Sequence, residues 1–212
     1  MIIKTLRKEY RHDSLSRSDL SPDPFDQFIQ WISLAIDQEI IEANAMTLAT
    51  ATKNGLPSSR TVLLKEVDAH GFIFYTNYQS RKGQEIEENP FGSITFYWKE
   101  LEKQVCIDGK IEKISREKST QYFHSRPRDS QIGAYTSKQG QELASREELL
   151  KTYLEHEKQF VGQTIPLPEY WGGYRLVPQN FIFWQGRENR LHDRFLYTMQ
   201  KNGTWTIKRL SP

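Results

Sequence analysis

The sequence predicts an α+β fold in which a closed or nearly closed antiparallel β-barrel carries a few flanking helices. Three observations predict it. Period-two alternation of apolar and polar residues dominates the middle and the end of the chain, turn-forming Gly, Asn and Asp punctuate it at short intervals, and helical spacing is confined to a few capped segments.

Taken in order, residues 1–20 are polar and read as a flexible N-terminal segment. Asp23 has the place of an N-cap, with Pro24 at the first helical position. Phe25, Phe28, Ile29, Ile32, Ile36 and Ile40 then recur at helical spacing, which predicts an amphipathic helix over 24–42. Alternation over 45–52, a turn at Lys53-Asn54-Gly55 and a partner strand over 58–67 follow. A turn over 68–71 leads into a strand over 72–76, and a short helix over 80–88 ends at Asn89-Pro90. Residues 91–98 and 104–114 read as two further strands. Ser115 caps a helix that runs to about residue 125 and stops at Pro127, and Ser145 opens a capping-box helix to about residue 160. The chain ends in strands over 170–177, 180–185, 190–198 and 204–210. With no internal repeat and no low-complexity linker, residues 21–212 read as a single domain.

Composition narrows the function classes. Hydrophobic residues make up only 37 %, but aromatic residues at 12 % carry large buried areas, so the chain is not disordered. A core short of aliphatic mass hints at burial against a second subunit. The 29 basic and 27 acidic side chains nearly cancel, which excludes general nucleic-acid binding. Cys106 is the only cysteine, so no intrachain disulfide forms, and its expected role is a small buried hydrophobe on a strand. No apolar run approaches a membrane span, and the N-terminus lacks the apolar core of a signal peptide. The histidines show no metal-ligand spacing, so no metal is expected. A soluble cytoplasmic protein is the expectation.

Three segments carry chemistry. Residues 122–131 crowd Tyr122, Arg126, Arg128, Ser125 and Ser130 around a helix end. Guanidinium forks and hydroxyl donors suit a phosphate, although the same composition also fits a solvated helix end. Arg60 and Lys65 lie in an otherwise apolar strand, and Arg81-Lys82 opens the short helix, where backbone amides and cations favour an anion. Ordinary surface charge is the plainer account of these cations. Positions 60 and 65 also face opposite sides of a regular strand, so a shared ligand needs a bulge or a second subunit. In the third segment, residues 183–194, Arg190, His192 and Arg194 fall on one strand face, which calls for anions or an electron-rich ring opposite, or for acidic partners on an exposed face. Leu191, pointing the other way, is expected in the core.

Together these segments resemble the pyridoxine/pyridoxamine 5′-phosphate oxidase family, along nearly the whole chain. The most specific matches are residues 122–133 (YFHSRPRDSQIG), 170–175 (YWGGYR) and 183–194 (FWQGRENRLHDR), with 60–65 (RTVLLK), 74–82 (FYTNYQSRK) and 101–105 (LEKQV) in the family's order. The resemblance implies an FMN-binding split β-barrel, Greek-key-like, in a homodimer with FMN at the subunit interface and a C-terminal β-rich dimerisation region over 166–212. It implies FMN contacts from Arg60, Lys65, Tyr75, Thr76, Arg81, Lys82, Gln104, Gln139, Trp184 and Arg194. It implies substrate contacts from Lys65, Tyr122, Arg126, Ser130, Arg190 and His192, with Arg190 and His192 also carrying the chemistry. Arg7, Lys8, Glu9 and Tyr10 match a segment that can fold over the substrate.

The implied reaction oxidises pyridoxine or pyridoxamine 5′-phosphate with dioxygen to pyridoxal 5′-phosphate, hydrogen peroxide and, from the amine, ammonia. Two departures from the family pattern stand out. Asp13-Ser14 replaces a usual Gly pair, which bears on how the N-terminal segment closes. Gly140 replaces a common Ser, which removes a side-chain hydrogen bond to the flavin. Two rivals are a split-barrel flavoprotein with another electron donor, such as a flavin reductase, and a non-catalytic carrier of flavin or pyridoxal phosphate. The first has no need of Tyr122, Arg126, Ser130 and the Arg190/His192 pair.

Overall fold

The computed structural model describes residues 9–11 and 13–212; the expected substrate contacts Arg7 and Lys8 lie outside the described residues. Asp23 accepts the Phe25 N–H at 2.8 Å and caps helix α1, Pro24–Asp37. The helix ends short of the expected residue 42 because Glu39 and Glu42 adopt φ of 53° and 50°, a left-handed backbone that no α-helix contains. It buries Phe28, Trp31, Ile32 and Ala35, whereas Ile29 and Ile36, expected on the core face, are 45 % and 59 % exposed.

Among the described residues, nine strands form one antiparallel sheet: β1 Ala45–Ala51, β2 Pro57–Leu63, β3 Glu66–Asp68, β4 Gly71–Asn77, β5 Phe91–Trp98, β6 Lys103–Lys113, β7 Trp171–Gln185, β8 Asp193–Met199 and β9 Trp205–Leu210. Their order is β2-β1-β5-β6-β7-β4-β3, with β8 pairing both β7 and β9. The curled path ends at β2 and β3, which do not pair with each other, so this is a split barrel. Phe28 of α1 seals the core, its ring 4.9 Å from both Phe72 of β4 and Phe96 of β5.

Three strand boundaries differ from expectation. The single strand over 58–67 divides into β2 and β3 at Leu64 and Lys65. The two strands over 170–177 and 180–185 are one, β7; a bulge at Gln179 lets it continue, since Asp108 faces Asn180 while Gly109 faces Pro178. The strand over 190–198 begins only at Asp193, after a 3-10 turn over Glu188–Arg190.

The helices are α2 Arg81–Glu88, α3 Arg116–Ser125, α4 Arg128–Thr136 and α5 Arg146–Gln159. Ser115 and Ser145 cap α3 and α5 by accepting the N–H groups of Lys118 and Glu148. The unexpected helix is α4: Pro127 stops α3 but then stands at the N-cap of α4, where its missing N–H costs nothing. A second apolar cluster of Phe123, Ile132, Phe160, Ile165 and Trp171 fastens these helices to β7. Packed structure also begins before residue 21, because Leu15 and Leu20 belong to the main core and the Leu15 N–H donates to Asp193 at 3.1 Å. Among the described residues, no helix is long and apolar enough to cross a membrane.

Candidate active site

A cavity of about 770 Å³ opens between β2, β4, the start of α2 and helices α3 and α4. Arg60, Lys65, Tyr75, Thr76, Arg81, Lys82, Tyr122, Arg126, Gln139 and Gly140 all line it. The break between β2 and β3 places Arg60 and Lys65 on the same cavity within one chain, which removes the parity conflict.

One end of the cavity is cationic. Ser80 precedes α2, so Arg81 and Lys82 occupy its first turn, where N–H groups point outward. Lys82 is only 7 % exposed, and its Nζ donates to Ser80 Oγ at 3.1 Å and Gln139 Oε1 at 3.0 Å. Burial, and then Arg60, pull its pKa down to about 8, with Glu85 opposing. Arg60 donates to Thr50 Oγ1 at 2.6 Å, to the Leu48 carbonyl at 3.2 Å and to Ser58 Oγ. Gln139, placed by the loop after α4, also accepts from Thr76 Oγ1 at 3.2 Å.

The other end is aromatic. Tyr75 and Tyr122 stack with Trp171, and Arg126 lies 4.8 Å from the Trp171 ring centroid. Burial pushes Tyr75 up to about 12 and also raises Tyr122, so both phenols keep their protons as donors. Arg126 Nη1 is buried and has no hydrogen-bond partner. A buried guanidinium N–H without an acceptor is expensive, and of the buried unpartnered side-chain atoms among the described residues, Arg126 Nη1 belongs to a residue that lines the cavity, where an anion could satisfy it. Ser130 does not line the cavity; it sits half-buried on α4, one turn before Ala134, which does.

The remaining expected residues form a second group elsewhere on the sheet. Gln104, Trp184 and Arg194 stand side by side on β6, β7 and β8, in one cross-strand row that Tyr97 of β5 extends. Arg190 and His192 do not share a strand face. Arg190 sits exposed in the 3-10 turn with φ of 61°, and His192 follows it before β8 starts. The His192 Nδ1 accepts the Arg187 N–H at 3.0 Å, which leaves Nε2 to carry the proton of the neutral ring. Burial, and then Arg190, hold its pKa below the ordinary value. Leu191 is 68 % exposed and not in the core.

Tyr10 packs edge-on against both Trp184 and His192, with centroids 5.5 Å apart in each case. Gly186 makes room for it, since a Cβ there would lie 2.7 Å from the Tyr10 ring. Glu9 is exposed and pairs with Arg11 at 2.6 Å. None of this second group lines the first cavity.

Sequence reasoning missed Glu85 and its partners Thr50 and Ser58. The spacing of Arg81 and Glu85, one helical turn apart, was the available signal. Trp171 was legible only as part of a motif.

Comparison with known proteins gives a consistent picture. A family profile described as pyridoxamine 5′-phosphate oxidase matches residues 32–159, and one described as the pyridoxine 5′-phosphate oxidase C-terminal dimerisation region matches 171–212. The pyridoxine/pyridoxamine 5′-phosphate oxidase of Rippkaea orientalis is 53 % identical over 212 residues, covering 100 % of both chains. The protein of the same description from Paraburkholderia phymatum is 53 % identical over 207 residues, covering 98 % of this chain and 97 % of its own. Among solved structures, PhzG from Burkholderia lata, in complex with tetrahydrophenazine-1-carboxylic acid, superposes with a TM-score of 0.88 at 31 % identity, over 94 % of this chain and 98 % of that one. A pyridoxamine 5′-phosphate oxidase-related, FMN-binding protein of Nostoc punctiforme shares the fold, with a TM-score of 0.73 at 17 % identity over 91 % of this chain and 99 % of its own.

Proposed function

The chain belongs to the pyridoxamine 5′-phosphate oxidase family, and from that premise we propose that it binds FMN in the cation-lined cavity and converts pyridoxine and pyridoxamine 5′-phosphates to pyridoxal 5′-phosphate. Membership makes it an oxidoreductase, and its C-terminal strands form the family's dimerisation region. The observation that carries the reading is the unpartnered Nη1 of Arg126, buried beside a cavity that already holds Arg60, Lys65, Arg81 and Lys82.

The donor set fits a phosphate-bearing flavin and a phosphate-bearing substrate. Arg60, Arg81, Lys82 and the first-turn amides of α2 would hold the flavin phosphate, with Thr76 and Gln139 beside them. Lys65, Tyr122 and Arg126 would take the substrate phosphate by charge-assisted and hydroxyl hydrogen bonds, while Ser130, one turn from the lining residue Ala134, would have to turn toward the phosphate to join them. Bound there, FMN would supply a two-electron acceptor for oxidation at the substrate's 4′ carbon, with dioxygen as the final acceptor giving hydrogen peroxide and with ammonia released from the amine substrate on hydrolysis.

The second group completes the site across the twofold axis. Gln104, Trp184 and Arg194 of one subunit would flank the flavin held by its partner. Arg190 would orient the pyridine ring and stabilise developing charge, as a planar cation can. His192, neutral and protonated on Nε2, would donate a hydrogen bond rather than act as a strong base. Tyr10 would close that side from water. The reaction belongs in the cytoplasm.

Anaerobic addition of pyridoxine 5′-phosphate to the purified protein tests the reading: the flavin absorbance band should bleach. A flavoprotein that does not bleach is one with another donor, and a protein without flavin is a carrier of something else.

A further inference from the structure

Glu85 is a buried carboxylate that the reading above leaves without a task. It stands on α2 with a side chain only 4 % exposed, at the back of the cationic end of the cavity. Its Oε2 accepts from Thr50 Oγ1 on β1 and from Ser58 Oγ on β2, each at 2.5 Å. Its Oε1 accepts from Arg81 Nε at 2.8 Å, and Arg60 Nη2 approaches Oε2 at 3.4 Å. Burial alone would push this carboxyl up, but the bonds from Ser58, Thr50 and Arg81 outweigh it and hold the pKa at about 2. The group is therefore ionised at any working pH.

A negative charge behind an anion site works against the anion unless it does something else. Two features say what. Arg81 spends only its Nε on Glu85, and among the described residues no protein acceptor takes its Nη groups. Arg60 is fixed through both Nη groups, which donate to the Leu48 carbonyl, Thr50, Ser58 and Glu85, so among the described residues only its Nε–H has no protein acceptor, while its side chain lines the cavity. The charges also match the guest: Arg60, Arg81 and Lys82 against Glu85 leave an excess of two positive charges, the complement of a phosphate monoester dianion.

We propose that Glu85 is a positioning residue of the phosphate end, a carboxylate that holds Arg81 by its Nε edge so that its Nη groups face the bound phosphate, and that fixes the Arg60 guanidinium beside it, directly and through Thr50 and Ser58. It does not touch the ligand itself. A long arginine side chain loses rotamer freedom when it binds; fixing it beforehand removes that cost from the binding step. The inference rests on reading this end of the cavity as the site of the FMN phosphate.

The test compares FMN with riboflavin, which lacks the phosphate, on apoprotein prepared from wild type, Glu85→Ala and Glu85→Gln. Dissociation constants come from quenching of flavin fluorescence, and melting temperatures report folding. Wild type should bind FMN far more tightly than riboflavin. Glu85→Ala should weaken FMN by at least about tenfold, with riboflavin changed less than about twofold. Glu85→Gln keeps the size and one acceptor, and should fall between; it carries the test if the alanine variant does not fold. Equal losses for both flavins would reduce Glu85 to a structural pin and overturn the proposal. So would unchanged FMN binding, or tighter binding, which would make Glu85 only a repelling charge. A wild type that binds neither flavin overturns the cofactor reading, and the inference with it.

Discussion

Tyr122 lies flat on Tyr75, with ring centroids 3.8 Å apart and planes 16° from parallel. Trp171 continues the stack, 5.6 Å from Tyr75. Because β4 and β7 are paired in register, with Tyr75 opposite Gly173 and Asn77 opposite Trp171, the stack is fixed by the sheet and not by the helices alone. The result is a rigid wall on which Arg126 rests.

Arg126 on that wall separates function from stability. Its buried Nη1 has no acceptor, and burial lowers its pKa, so the apoprotein carries an uncompensated cost. Replacing it with Met should not lower the melting temperature of the apoprotein, even after losing the contact with Trp171, worth about 0.5–1 kcal/mol. Catalytic efficiency toward the phosphorylated substrate should fall by about 10- to 100-fold, mostly in KM, for a lost charge-assisted bond of about 1.5–3 kcal/mol. Steady-state kinetics beside thermal melts decide it; a large fall in melting temperature with normal KM would remove Arg126 from the substrate site.

Lys82 predicts a pH dependence with two signs. Its folded pKa of about 8 lies below the ordinary 10.5, so burying the charged form costs stability below about pH 8. That cost disappears as pH rises through 8 toward 10.5, so this group by itself makes the apoprotein more stable across that window. Phosphate binding needs the proton and runs the other way: FMN affinity should drop as pH rises from about 7 to about 9. In Lys82→Met the affinity should be lower throughout and lack this alkaline fall. Flavin fluorescence titrations across the range check it, and a flat wild-type profile would contradict it.

Gly140 adopts φ of 86° at the cavity rim. Space is not the constraint, since nothing lies within 4 Å of a Cβ built there; the backbone is. Gly140→Ala should therefore destabilise by about 1 kcal/mol through the left-handed conformation alone. Gly140→Ser should show the same loss in the apoprotein and recover part of it with FMN bound, if its hydroxyl gains a flavin contact. Melting curves with and without FMN would show whether serine differs from alanine.

Most of the sheet was legible because its signals are local. Alternation and turn chemistry placed β1, β4, β5, β6 and β9 within a residue or two, and Ser115 and Ser145 marked their helices by the caps they form. What stayed hidden depends on long-range packing. Continuous alternation cannot reveal that Lys65 N–H turns to the Ile73 carbonyl at 2.9 Å and breaks the strand there. Nor can it reveal the bulge at Gln179 that makes β7 one strand. Arg190 and Leu191 were misplaced for a related reason: the alternation of residues 190–198 continues through a turn that only φ angles disclose. The cationic residues of the cavity were found as separate clusters, but the carboxylate that organises them was not, because an acidic residue on a short helix looks like surface charge.

Arg190 should matter for chemistry and little for folding, and Leu191 should matter for neither. Arg190 is exposed, in a turn whose shape is set by the His192 Nδ1 accepting the Arg187 N–H and by the Leu191 N–H reaching the Glu188 carbonyl at 3.0 Å. Its own side chain is not needed for that turn, so Arg190→Leu should leave the melting temperature nearly unchanged. Its φ of 61° is equally disfavoured for arginine and leucine, so the backbone strain cancels in the comparison. Flavin reduction by saturating substrate should nevertheless slow at least about tenfold, on the order of 1.4 kcal/mol of transition-state stabilisation. Leu191→Ala should change stability by less than about 0.5 kcal/mol, because a side chain 68 % exposed has little burial to lose. Its reduction rate should match wild type. Anaerobic stopped-flow reduction and melting curves on the same preparations measure both. Reduction of Arg190→Leu at the wild-type rate would leave this residue no part in the chemical step, and the role proposed for the turn would then fall to His192 alone.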